Sequence, residues 1–348
     1  MKKAIALTPG DPAGIGAEIV LKAFMQEPEL TRGCFVAGDV ELLRATGRWL
    51  FSDGMASALV QIEHAQDAFD VPPRSVPVLQ VASLTGPWSV GRIGAAAGRF
   101  AGECVLAASR MALKGDVAAI VTAPLHKEAL AAAGEPFSAF AGHTELLQAE
   151  AARWQGLTPA QLPVRMMLAN TQLRVVLVSI HVPLRAAIAA VSFDKVLATI
   201  DIADRSLTRM LGIRPRIAVA GLNPHAGEGG LLGSEEADII GPAVQAARAA
   251  GIDAQGPFAP DTVFMRARCG ADHAAEFDAV VAMYHDQGLI PVKYLGIDDG
   301  VNVTLGLPFA RTSPDHGTAF DIAGKGRANA ASFIAALRMA RNLAGVHA

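Results

Sequence analysis

Four apolar segments of this sequence run into a histidine. Segment 175–180 meets His181 in "VVLVSIHVPL", and 217–222 is followed by "NPHAGEGG", which contains His225. Segment 279–283 runs into "YHDQG", with His285, and 117–122 is followed by "APLHKE", with His126 and Lys127. Imidazole binds divalent metals when neutral and carries protons near neutral pH. A set of three histidines with open coordination positions suits Zn²⁺ or a similar divalent ion. The intervals between His181, His225 and His285 match no local zinc motif, so the fold has to bring them together. A single histidine at a strand end is commonly just a hydrogen-bonded structural residue. The recurrence of the position, with Asn223, Glu228 and Asp286 as polar neighbours, favours a site. His126 is assigned to the surroundings of that site or to a substrate contact.

Other stretches offer complementary chemistry. "AGHTELL" opens a helix, where His143 and Thr144 can present donors to an anion near the helix N-terminus, or Thr144 can act simply as a cap. "TPGDPAGIGAEIV" is a glycine-containing strand-to-helix turn, suited to cradling phosphate or to turning tightly. It lacks the G-x-G-x-x-G dinucleotide spacing. The glycines after His225 let backbone approach a ligand closely or make a flexible loop. Lys293, Asn302 and Arg311 follow the His285 segment, and arginine is suited to fork a carboxylate or phosphate. "RTSPDHGTAFDIAGKGRAN" reads as a loop able to contact a nucleotide.

Strand–helix alternation must position these groups, which predicts an α/β fold with a largely parallel sheet. Expected strands are 3–7, 34–37, 117–122, 164–168, 175–180, 217–222, 279–283 and 301–304. Expected helices are 16–26, 91–114, 184–190, 193–211, 235–250 and 328–344. Ser192 is the expected cap of the fourth helix. The Pro-rich stretch 70–88 reads as a surface connection, and 134–141 as a hinge. In open parallel sheets ligands bind beyond the C-terminal strand ends, where the histidines fall.

The chain has 348 residues, 51% apolar and 18% charged, so a sizeable core is possible and disorder is disfavoured. A net charge of -3 without a long basic run argues against nucleic acid or an anionic membrane as the main partner. The three cysteines are far apart and form no CxxC pair, as expected for reduced thiols in a cytoplasmic protein. No apolar run approaches a membrane span, and the N-terminal run is too short for a signal peptide.

Together "PGDPAGIGAE", "GHTELL", "NPHAGEGG", "PDTVF", "YHDQG", "VNVTLGLPFARTS" and "DHGTAFDIAGKG" resemble the 4-hydroxythreonine-4-phosphate dehydrogenase family of vitamin B6 biosynthesis. The motifs follow that family's order over nearly the whole chain. The first and last also resemble motifs of isocitrate and isopropylmalate dehydrogenases. The resemblance implies their two-domain α/β fold, with an active-site cleft between a cofactor-side domain (1–135 plus 310–348) and a metal, substrate and dimerisation domain (136–309).

Carried over by position, the resemblance implies metal ligands at His181, His225 and His285. It implies substrate contacts at His143, Thr144, Lys293, Asn302 and Arg311, with Asp261 near the metal. Residues 315–326 are expected beside an NAD or NADP cofactor, through Asp315, His316, Gly317, Thr318, Asp321 and Ile322. A homodimer whose subunits share the metal site is also implied.

The expected reaction is metal-assisted oxidation of 4-hydroxy-L-threonine 4-phosphate to a β-keto acid that decarboxylates to 3-amino-2-oxopropyl phosphate. Zn, Mg or Co is the expected ion, and Asp286 or Asp261 the expected proton acceptor. A sister branch oxidises D-threonate or D-erythronate 4-phosphate. A non-redox metallohydrolase of phosphate esters and a cofactor-free binding protein are the rival classes.

Overall fold

The computed structural model describes residues 3–51, 58–270, 274–296 and 299–345. Positions 52–57 lie outside the described residues. So do 1–2 and 346–348, the outer ends of the expected cofactor-side domain.

The chain forms two compact units, Met1–Pro163 with Leu307–Ala348, and Val164–Gly306. The sequence-based division gave 136–163 to the second unit, but these residues pack with the first. Helix His143–Trp154 lies against helix Ala95–Lys114, and Arg110 Nε donates to Glu150 Oε1 between them at 2.7 Å. Within 134–141, Phe137 is buried against the bare face of Gly102 and anchors an otherwise largely exposed stretch to the first unit.

The first unit contains strands β1 (Ala4–Thr8), β2 (Cys34–Gly38), β3 (Leu59–Ile62), β4 (Val76–Gln80), β5 (Val117–Thr122) and β12 (Ala310–Pro314). They run parallel in the order β3-β4-β2-β1-β5-β12. β1 and β2 are buried along their whole length, which explains their unbroken apolar sequences. Helices cover them. One, Gly16–Gln26, buries Ile19, Val20 and Phe24. Helix Ala95–Lys114 meets helix Lys127–Ala132 so closely that a Cβ on Gly98 would stand 1.9 Å from the Ala129 carbonyl oxygen.

The second unit contains β6 (Arg165–Ala169), β7 (Arg174–Leu177), β8 (Ile217–Ala220), β9 (Ala254–Phe258), β10 (Ala279–Ala282) and β11 (Val301–Leu305). Their order is β11-β6-β7-β10-β8-β9. The β11-β6 and β6-β7 pairs are antiparallel; the remaining pairs are parallel. Helix Phe193–Leu211 buries Val196, Thr199, Ile200, Ala203 and Leu207, the spacing of one helical face. Ser192 Oγ accepts from Lys195 N at its start, as expected, and Gly212 ends it in the left-handed region.

Two expectations are corrected. The stretch 70–88 is not merely a surface connection, because it contains β4, whose Val76 and Val78 are fully buried between β2 and β3. The expected loop 311–329 begins within a strand: β12 pairs with β5 and hides the polar residues Arg311, Thr312 and Ser313.

Candidate active-site residues and family relationship

Parallel strands place their C-terminal ends on one edge of a sheet. In the second unit, adjacent strands β7, β10, β8 and β9 therefore deliver four groups in spatial order. His181 follows β7, His285 follows β10, His225 follows β8 and Asp261 follows β9. The ladders continue past the strands, with Val178 N donating to Ala282 O and Gly221 N to Phe258 O. The sequence spacing carried no metal signature because the arrangement is made across strands.

The His181 and His285 rings are 5.5 Å apart, centroid to centroid. Both border a recess of about 300 Å³ that also touches Tyr284, Asp286 and Leu184. His285 Nδ1 lies 2.7 Å from Asp286 Oδ1. In the tautomer whose Nδ1–H donates to that carboxylate, His285 presents Nε2 as an electron-pair donor, the usual arrangement of a metal-binding histidine. His225 borders a neighbouring groove of about 660 Å³ with Asp261, Tyr284 and Asp286. Among the described residues, no three metal-ligating side chains of one chain gather into a single cluster. The donor types suit a divalent ion, and the His181 and His285 rings are neighbours.

The His225 turn is unusual. Residues His225 to Gly229 all have positive φ, with His225 at 52°, Ala226 at 53° and Glu228 at 43°. Each non-glycine residue held there costs on the order of 1–3 kcal/mol, so surrounding structure must hold the turn.

In the first unit, helix His143–Trp154 begins at His143, with Thr144 in its first turn and Gly142 before it. Gly142, not Thr144, holds the cap position. Arg311 enters from β12, is buried, and donates through Nη2 to Thr122 Oγ1 at 2.7 Å. Burial pushes its pKa down to about 10, against an opposing pull from Glu145. His143 is driven well below its ordinary value, chiefly by burial and then by the Arg311 charge, while a backbone bond at Ala123 opposes. The buried Arg311 guanidinium thus acts on the half-buried His143 imidazole, an arrangement suited to an anion. In the second unit, Lys293 is exposed on helix His285–Tyr294, and Asn302 sits half-buried on β11 opposite Leu168.

The expected cofactor loop lies against the turn after β1. Ile15 N donates to Thr318 O, and Asp11 N donates to Pro124 O. A Cβ on Gly14 would stand 2.8 Å from Thr318 O, so this approach needs glycine. Asp315, His316, Gly317, Thr318, Asp321 and Ile322 all fall in this loop, directly after β12. His126 stacks on Phe320 at 4.9 Å, so it belongs with this loop rather than with the other three strand-end histidines. Asp11 Oδ2, His126 Nδ1 and His316 Nε2 are buried without a hydrogen-bond partner among the described residues. Buried atoms of this kind, beside a glycine-lined turn, fit a polar cofactor.

Sequence reasoning missed Gln287 and Glu236, which hold the strand ends, and Thr122, which meets Arg311. Nothing in an isolated Gln, Glu or Thr signals such a role.

Residues 31–340 match the family described as pyridoxal phosphate biosynthetic protein PdxA. The chain belongs to this family. It is 47% identical over 340 residues to a 4-hydroxythreonine-4-phosphate dehydrogenase of Beijerinckia indica, covering 97% of this chain and 94% of that one. It is also 44% identical over 349 residues to a D-threonate 4-phosphate dehydrogenase of Salmonella typhimurium, covering 98% and 99%. A crystal structure of a 4-hydroxythreonine-4-phosphate dehydrogenase from Klebsiella pneumoniae superposes with a TM-score of 0.85 at 41% identity, covering 99% of this PdxA-family chain and 100% of the other. No helix among the described residues is long and apolar enough to cross a membrane.

Proposed function

We propose that the protein is an NAD- or NADP-dependent, metal-dependent dehydrogenase of 4-hydroxy-L-threonine 4-phosphate. The product is a β-keto acid that loses CO₂ to give 3-amino-2-oxopropyl phosphate, a step toward pyridoxal phosphate. The observation that carries this reading is the delivery of His181, His285, His225 and Asp261 by adjacent parallel strands. Relatives that carry this activity in their names, matched over nearly the whole chain, support the substrate.

In this reading His181, His225 and His285 hold a divalent ion such as Zn, Mg or Co. The ion supplies Lewis acidity toward the substrate alcohol, and the nicotinamide nucleotide supplies the two-electron oxidant. Arg311 and Lys293 hold the phosphate and carboxylate, while His143, Thr144 and Asn302 fix orientation. Asp286 or Asp261 accepts the alcohol proton. Asp315, His316, Gly317, Thr318, Asp321 and Ile322 hold the nucleotide. Oxidation leaves a ketone β to the carboxylate, so the carbon–carbon bond to CO₂ breaks readily.

The active form in this reading is a homodimer whose subunits share the metal site. Met265, Ile290 and Tyr294 support it: they are 65%, 64% and 90% exposed, and they line the groove that holds His225, Asp261 and Asp286. A large apolar surface beside polar ligands marks an interface.

D-threonate 4-phosphate is the second reading, favoured by the Salmonella relative at 44% identity. The test of the main reading is carboxyl-labelled 4-hydroxy-L-threonine 4-phosphate incubated with the metal-loaded protein and NAD or NADP. Labelled CO₂ in step with nicotinamide reduction is expected. Reduction with no CO₂ release, or neither, contradicts the proposed reaction.

A further inference from the structure

The three strand ends that precede the histidines are tied together by side chains with no metal chemistry of their own. Ser179 Oγ, two residues before His181, donates to Met283 O at 2.9 Å. Met283 N, two residues before His285, donates to Gln287 Oε1 at 2.6 Å. Gln287 Nε2 donates to Gly221 O at 2.7 Å, four residues before His225. Gln287 thus uses the acceptor end of its amide on one strand end and the donor end on another.

The His225 turn is held from its other side by Glu236. Its Oε1 accepts from Leu222 N and Asn223 N, both at 2.7 Å, and its Oε2 accepts from Asn223 Nδ2 at 2.9 Å. Asn223 Nδ2 also donates to Glu235 Oε2 at 2.7 Å. Glu236 is buried and opens a π-helical turn, Glu236–Ile240, which aims its carboxylate back at the loop. Glycines leave room for this carboxylate. A Cβ on Gly221 would stand 3.0 Å from Glu236 Oε1, and one on Gly227 2.8 Å from Oε2. A buried carboxylate accepting three N–H bonds and enclosed by glycines is specified in detail, while the turn it holds is otherwise strained.

We propose that Gln287 and Glu236 are positioning residues: Gln287 sets the separation of the His225 and His285 strand ends, and Glu236 fixes the left-handed turn that presents His225. The proposal rests on the reading of these histidines as metal ligands. It assigns to the two residues the outer-shell role that orients ligands before the ion arrives. Chemical requirements follow. At 287 only an amide both accepts from Met283 N and donates to Gly221 O; a glutamate would set a carboxylate against that carbonyl. At 236 a glutamine keeps an oxygen for the two backbone donors but loses the acceptor for Asn223.

The test is titration of the full-length, metal-free protein with Co²⁺, followed by calorimetry and by the visible absorption of the bound ion. Gln287→Met, Gln287→Glu, Glu236→Ala and Glu236→Gln are compared with the parent and with His181→Ala and His285→Ala. Gln287→Met and Glu236→Ala are expected to bind Co²⁺ about 10- to 100-fold more weakly, with an altered absorption band. Glu236→Gln should recover much of that loss, and Gln287→Glu, nearly isosteric, should stay folded yet bind weakly. Folded Gln287→Glu and Glu236→Ala proteins that bind Co²⁺ within about twofold of the parent, with the parent's spectrum, would overturn the proposal while leaving the metal site standing. If the parent binds Co²⁺ no better than the two histidine variants, the metal reading fails and the positioning roles fail with it.

Discussion

Arg311 donates to the hydroxyl of Thr122 at 2.7 Å inside the first unit, between the paired strands β12 and β5. A buried guanidinium anchored at one nitrogen keeps its plane fixed, which suits it to fork an anion. Arg311→Lys keeps a charge and loses the fork. Substrate binding should weaken by about 1–3 kcal/mol, read as a roughly 5- to 150-fold fall in kcat/KM carried mainly by KM. Unchanged steady-state constants would remove Arg311 from the anion site.

His285→Ala should lower bound metal strongly and abolish turnover, because its ring lies 5.5 Å from that of His181 and its Nδ1 is already matched by Asp286. Elemental analysis after gel filtration, alongside an activity assay, measures both. A stoichiometrically loaded and active His285→Ala protein would contradict the assignment.

His143 sets a pH dependence of stability. Its folded pKa lies well below the ordinary 6.5, through burial and then the Arg311 charge. As pH falls below 6.5 the unfolded chain takes up a proton at this residue while the folded one does not. Stability is therefore lost toward acid, until the pH reaches the folded value, by up to about 1.4 kcal/mol per pH unit from this group alone. Urea denaturation at pH 7 and pH 5.5 should show a smaller acid loss in His143→Gln than in the parent. An identical loss in both proteins would show that His143 is protonated equally in the two states.

The strand ends were legible because their apolar runs are long enough to read and end in unusual residues, and helix 193–211 because its apolar spacing and cap are regular. β4 was not, since Pro77 sits within it and proline argues against a central strand. β9 was hidden by Gly256 and Pro257 for the same reason. β12 reads as a loop because Arg311, Thr312 and Ser313 are polar, yet each is buried. The placement of 136–163 depended on contacts with helix Ala95–Lys114, and the roles of Gln287 and Glu236 on bonds between strand ends. Such long-range contacts leave no periodic trace in a sequence.

Gly227→Ala should destabilise the protein by about 1–3 kcal/mol, because φ is +80° and its Cβ would stand 2.8 Å from Glu236 Oε2. Gly229→Ala shares a positive φ of +65° but has open space around the new Cβ, so its loss should be smaller. Chemical denaturation of the two variants gives the comparison. A greater loss in Gly229→Ala would mean that the Glu236 contact does not constrain the turn.

The reaction and its substrate are tested together. The most direct measurement is kcat/KM for nicotinamide reduction by the metal-loaded protein with 4-hydroxy-L-threonine, D-threonate and D-erythronate 4-phosphates, each with NAD and with NADP. The amino acid phosphate should be preferred by a large factor, because a pocket that pairs its amine leaves buried groups unmatched when a hydroxyl replaces it. Much faster turnover of D-threonate or D-erythronate 4-phosphate would transfer the assignment to that branch, and no reduction with any of the three would contradict a dehydrogenase.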